Sequence, residues 1–87
     1  MTTVMVQYRV RDYETWRKEF DANEPARTAA TLSDCRVYRN VADGNDVIMT
    51  YVVGDEGKLR QFLESAELKR RMEAAGVVGK PIVLRDS

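Results

Sequence analysis

Residues 46–54, DVIMTYVVG, are apolar on both sides of a strand. Val47, Met49, Tyr51 and Val53 alternate with Ile48, Thr50 and Val52. Neither set suits water, so a sheet containing this strand has to be covered on both faces. The chain has 87 residues, which makes it one small domain spanning 1–87. A domain of that length buries only about 60–65% of the surface that its unfolded chain exposes. Which face the chain can cover for itself follows from the order of its elements.

Residues 3–10, TVMVQYRV, alternate with Val4, Val6, Tyr8 and Val10 on one face and Met5, Gln7 and Arg9 on the other, which is strand periodicity. Asp12 stands where a helix N-cap belongs, and a helical pattern starts after it. At about 100° per residue, Tyr13, Trp16, Phe20, Asn23 and Arg27 fall within an arc of about 80°. Pro25 removes a backbone donor and disfavours helix at Glu24, so a kink or restart is expected near 23–25. CRVYRNV at 35–41 reads as a second strand, ADGND carries an Asp-Gly turn signal, and 46–54 is the third strand. A second helix is expected from Glu56 to Ala75 with a break at Ser65. Leu59, Phe62, Leu63, Ala66, Leu68, Met72 and Ala75 form its inner stripe. Gly76 ends that helix, and Ile82 to Arg85 form the last strand.

The order is βαββαβ. Two right-handed βαβ halves give an α+β ferredoxin-like plait: a four-stranded antiparallel sheet with both helices on one face. The other face then stays bare and apolar, broader than monomers tolerate. A homodimer formed through the sheet faces is the economical cover.

Charge and residue usage narrow the function. Fourteen basic residues balance fourteen acidic ones, which argues against nucleic acid or an anionic membrane surface as partner. The charges are interspersed, with no like-charge block. The single cysteine, Cys35, has no intramolecular disulfide partner, and a cytoplasmic setting is the default expectation. The first ten residues show no signal-peptide pattern. No histidine occurs anywhere, which excludes His–Cys zinc sites, Ser–His–Asp hydrolysis and histidine-ligated haem. No cofactor and no metal is expected. Cys35 reads as a small strand residue, since no histidine exists to activate it.

VQYRVRDYETWRKEF, the hairpin CRVYRNVADGNDVIMTYVV and the closing FLESAELKRRMEAAGVVGKP resemble the small dimeric α+β barrel proteins, the superfamily of antibiotic biosynthesis monooxygenases and related polyketide cyclases. The likeness covers roughly residues 4–85, and D-Y-x-x-W, S-x-E-L-K and A-G-V carry it. It implies a dimeric α/β barrel with a pocket between helices and sheet, walled here by Tyr8, Trp16, Phe20, Asn23, Arg27, Tyr38 and Tyr51. It also implies an oxidoreductase or cyclase that needs no cofactor and acts on an aromatic, polyketide-like ligand. In such oxygenases the substrate, as a phenolate or carbanion, donates electrons to O2. By resemblance Asn23 and Trp16 hold the reacting carbonyl, Tyr8 relays protons, and Phe20, Arg27, Tyr38 and Tyr51 bind substrate. Relatives place histidine where this chain has Tyr8 and Asn23, so a proton-transfer role borne by histidine does not carry over.

Each of these residues also has a structural reading. Trp16 and Phe20 supply core area at helical spacing. Asn23 either lines the pocket or caps the helix restarted at Pro25. Arg27 snorkels to water, pairs with an acid, or clamps a ligand carboxylate. Tyr38 shares its face with Arg36 and Asn40, so it belongs either to the pocket or to the dimer interface. The functional alternative is a homodimeric metabolite-binding or structural module without turnover.

Overall fold

The computed structural model describes residues 2–87. Its elements are β1 (Thr2–Val10), α1 (Tyr13–Ala22), α2 (Glu24–Ala29), β2 (Leu32–Arg39), β3 (Asp46–Val53), α3 (Glu56–Glu64), α4 (Ala66–Ala74) and β4 (Val77–Arg85). The strands form one antiparallel sheet in the order β2-β3-β1-β4. This is the ferredoxin-like plait, with each helical arm divided in two.

Side chains make both divisions. Asp12 starts α1 by accepting from the Thr15 amide at 3.0 Å and the Thr15 hydroxyl at 2.7 Å. The helix ends at Ala22, and α2 begins again with Pro25 in its first turn, where the missing N–H has no helical partner to lose. Ser65 divides the second arm. It stands in extended backbone, donates its hydroxyl to the Phe62 carbonyl at 2.9 Å and accepts from the Leu68 amide at 3.1 Å. One residue thereby closes α3 and caps α4. The break also resets the helical phase, which leaves Ala66 exposed instead of on the inner stripe.

Register places every strand residue on a face. Val4, Val6 and Val10 of β1 and Val47, Met49, Tyr51 and Val53 of β3 are buried toward the helices, packed with Trp16, Phe20, Ala30 and Leu32. On the reverse face Met5 pairs with Leu84, Gln7 with Ile82, Arg9 with Val78, and Tyr38 with Ile48. Ile82 and Leu84 there are 53% and 54% exposed. The strand that is apolar on both sides is therefore covered on one side only by its own chain.

Both edge strands start earlier than their sequence patterns, and β2 stops at Arg39, short of the expected end at Val41. β4 begins at Val77, five residues before Ile82, and runs through Gly79 and Pro81. An edge strand tolerates proline because its outward N–H need not pair. Gly79, at φ +76°, takes up a register shift against β1 between Gln7 and Arg9. β2 begins at Leu32 and is irregular between Ser33 and Arg36, where Asp34 adopts φ +49°. Among the described residues no helix is long and apolar enough to cross a membrane.

Candidate functional site

Between the helical arms and the sheet lies a cavity of about 290 Å3. Its existence follows from how the second arm packs. No residue within α3 or α4 is buried, and Leu59, Phe62, Leu68 and Met72 are only half-covered because they face the void. Val6, Met49 and Tyr51 form the sheet side, and Pro81 and Val83 of β4 contribute to the rim. The sequence pattern identified the inner stripe of that arm. A periodic pattern says which way side chains point, but not whether anything meets them there.

The first arm supplies an aromatic stack and three polar groups. Trp16, 1% exposed, stacks on Phe20 with centroids 4.8 Å apart and meets Tyr8 edge-on at 6.1 Å. Its indole N–H donates to the Tyr8 hydroxyl at 2.8 Å. Tyr8 therefore accepts from Trp16 and keeps its own proton for a partner in the cavity. The single donor of Trp16 is already engaged, so a direct bond from Trp16 to a ligand carbonyl would require the Tyr8 contact to open.

Asn23 makes no side-chain cap. Of its two sequence readings, capping is thus excluded by geometry. The residue is 9% exposed, lines the cavity, and its Oδ1 is buried without a hydrogen-bond partner among the described residues. Arg27 is 7% exposed. It does not snorkel, and it forms no ion pair among the described residues. Its Nη1 donates to the Phe20 carbonyl at 2.6 Å, and its guanidinium carbon sits 3.7 Å from the Phe20 ring centroid. The Phe20 carbonyl, near the end of α1, also accepts from the Asn23 amide at 3.2 Å, so its second lone pair takes the bond from Arg27, seven residues on.

Tyr38 is the exception among the expected wall residues. It pairs with Ile48 on the reverse face and is 49% exposed, so it does not line the cavity. The irregularity between Ser33 and Arg36 precedes it, and Val37 takes the helix-facing position instead, opposite Met49. Tyr8, Trp16, Phe20, Asn23, Arg27 and Tyr51 are brought together. The apolar liners from β4 were missed, because Val77–Pro81 carried no strand signal strong enough to extend β4 past glycine and proline. Among the described residues no three potential metal ligands cluster.

Burial shapes the acid–base character. Desolvation pushes the Tyr8 hydroxyl up to about 12, against smaller lowering effects from the Trp16 bond and the Arg27 charge. Desolvation likewise raises Tyr51, with Cys35 and Tyr8 beside it adding to the effect. Both hydroxyls are donors near neutral pH, not bases. Unfolding at high pH follows from this. An unfolded tyrosine loses its proton near its ordinary value of about 10, while folded Tyr8 holds its own to about 12. Stability therefore falls as pH rises through that window, by about 2–3 kcal/mol for a gap of this size. Urea unfolding between pH 9 and 12 measures it, and Tyr8→Phe is expected to flatten part of the slope.

No protein-family profile matches the chain, and no curated protein matches it. Solved structures do. A Bordetella bronchiseptica protein assigned to the antibiotic biosynthesis monooxygenases superposes with TM-score 0.78 at 10% identity, over 99% of this chain and 94% of that one. A Nitrosomonas europaea protein of the same assignment gives 0.71 at 10%, over 100% and 97%. A variant of SnoaB, a cofactor-independent oxygenase from Streptomyces nogalater, gives 0.71 at 13%, over 95% and 89%. At such identities the likeness is one of architecture, and the chain has the ferredoxin-like fold of the antibiotic biosynthesis monooxygenase-like proteins.

Proposed function

We propose that the protein is a small-molecule enzyme of the cofactor-independent oxygenase kind, acting as a homodimer on an aromatic compound held in the helix–sheet cavity. The observation that carries this reading is the unsatisfied Asn23 Oδ1 in a mostly apolar, aromatic-lined void. A buried polar group without a partner costs about 1–3 kcal/mol, and a ligand that bonds it recovers that cost. The Asn23 Oδ1 then accepts from a ligand hydroxyl while its Nδ2 donates to the reacting carbonyl without adding charge, Tyr8 donates to an oxygen that gains charge, and the Trp16 indole fixes Tyr8 in place. Phe20 and Tyr51 flank the ring.

The chemistry balances for an activated methylene such as that of an anthrone. The substrate loses a proton to water and becomes a carbanion. The carbanion passes an electron to O2, and the radical pair joins as a peroxide. Loss of water from the peroxide leaves a ketone, so CH2 and O2 become C=O and H2O. Water takes the proton in this scheme because Tyr8 and Tyr51 are raised out of the range of useful bases.

Incubation with a hydroxylated anthrone under O2 tests the proposal. One O2 consumed per quinone formed is expected, and Asn23→Ala is expected to slow turnover about 10²-fold. Equal rates for the variant would remove Asn23 from the mechanism. The absence of a base near neutral pH also favours a second reading, a ligand-binding dimer without turnover. That reading predicts tight binding of the anthrone with no oxygen uptake above the uncatalysed rate.

A further inference from the structure

We infer that the cavity is built for a monoanion, an aromatic carboxylate whose two oxygens lie against the free edge of the Arg27 guanidinium while its ring system enters the space beside Trp16 and Phe20. The inference rests on the cavity's being a ligand site, and not on any reaction with O2.

Arg27 is a cation taken out of water with too little in return. It is 7% exposed and bonds one carbonyl. Its flat face is occupied by Phe20 at 3.7 Å. A stacked guanidinium keeps its other N–H donors around its edge, in the plane that suits two parallel bonds to a carboxylate. Isolated buried charges are costly, and paired ones far less so. The other charged groups lining the cavity do not supply the missing partner. Glu19 is exposed and forms no ion pair among the described residues, and Arg71 is committed to Glu67 at 3.1 Å. The remaining groups that sense Arg27 are the Tyr8 and Tyr51 hydroxyls and the Cys35 thiol. Tyr8 and Tyr51 are held neutral and so cannot serve as counter-ions.

The count of charges selects the ligand class. One unpaired buried cation balances one negative charge, so a phosphate dianion would lack half its neutralisation. A simple phenol is neutral at pH 7, whereas a carboxylic acid is already ionised. The size also constrains it. About 290 Å3 lies at the lower end of small-molecule sites, which suits a compact fused-ring frame. Apart from Arg27, Asn23, the tyrosines, Glu19 and Arg71, the lining is apolar, with Met49, Leu68, Met72 and Val83 among it, which suits a hydrocarbon frame.

Calorimetric titration of the wild-type protein in oxygen-free buffer, with 2-naphthoate against its neutral isostere 2-naphthamide, tests the inference. Naphthoate is expected to bind about tenfold or more tighter, the ratio set by a charge-assisted bond that the amide cannot make. Arg27→Gln is expected to erase that ratio, and Arg27→Lys to keep part of it. Should the Gln variant fail to fold, the wild-type comparison decides alone. Equal affinity for acid and amide overturns the role of Arg27 while leaving the cavity a ligand site. Failure of both compounds to bind at millimolar concentration overturns the ligand-site reading as well. Lack of oxygen uptake with an anthrone affects neither result.

Discussion

Replacing Trp16 with alanine is expected to destabilise the protein by about 3–5 kcal/mol, the range for truncating a large buried aromatic. Small domains hold only about 5–15 kcal/mol in total, so most of the margin would go. Three aromatic contacts would be lost together: Phe20 at 4.8 Å, Tyr13 at 5.7 Å and Tyr8 at 6.1 Å. The Tyr8 hydroxyl would also lose its donor. The site already borders a void, so the new space would join it instead of closing. Trp16→Phe separates the parts. It keeps most of the ring stack and removes the indole N–H, and its expected cost is nearer 1–2 kcal/mol. Urea unfolding at fixed protein concentration measures both. A loss below about 1 kcal/mol for the alanine variant would mean that the first arm collapses onto the sheet, which would also abolish the cavity.

Placing like charges on the reverse sheet face is expected to abolish the proposed homodimer. Met5, Val78, Ile82 and Leu84 expose between 39% and 54% of their surface there, beside half-buried Ile48 and Val52. Strand register puts them on one side of the sheet. Covering such a face is favourable by about 25 cal/mol for each Å2 removed from water. Ile82→Asp with Leu84→Asp would instead bury four carboxylates across a two-fold axis, which repel and lack partners. Association is expected to weaken by at least about 100-fold, or roughly 2.7 kcal/mol. Sedimentation reads the result as a shift from a dimer toward the 10.0 kDa chain. A wild-type protein that stays monomeric at micromolar concentration would refute the dimer outright. A doubly substituted protein that stays dimeric would place the interface elsewhere.

The central strands and the helix punctuation were legible because their signals are local. β3 alternates without a break, Asp12 and Ser65 are capping residues at the right distance, and Pro25 interrupts its helix whatever surrounds it. The edge strands were less legible. Residues 77–81 carry glycine and proline, which read as a loop unless it is known that the strand lies at an edge. The same holds for Tyr38, whose face depends on an irregularity that no alternation pattern encodes.

The candidate site divides along the same line. Sequence periodicity alone determined that Trp16, Phe20, Asn23 and Arg27 share a direction, since helical geometry sets the angle between residues. It also determined that one sheet face would lack cover from its own chain, because the order of the elements sends both arms to the other side. Only the tertiary structure decided that the second arm stands off far enough to leave a cavity, that the Asn23 side chain caps nothing, and that Arg27 is buried without a counter-ion among the described residues. Direction is a property of a residue and its near neighbours along the chain. Emptiness and unpaired charge depend on which distant residues do or do not arrive, and no local pattern contains that information.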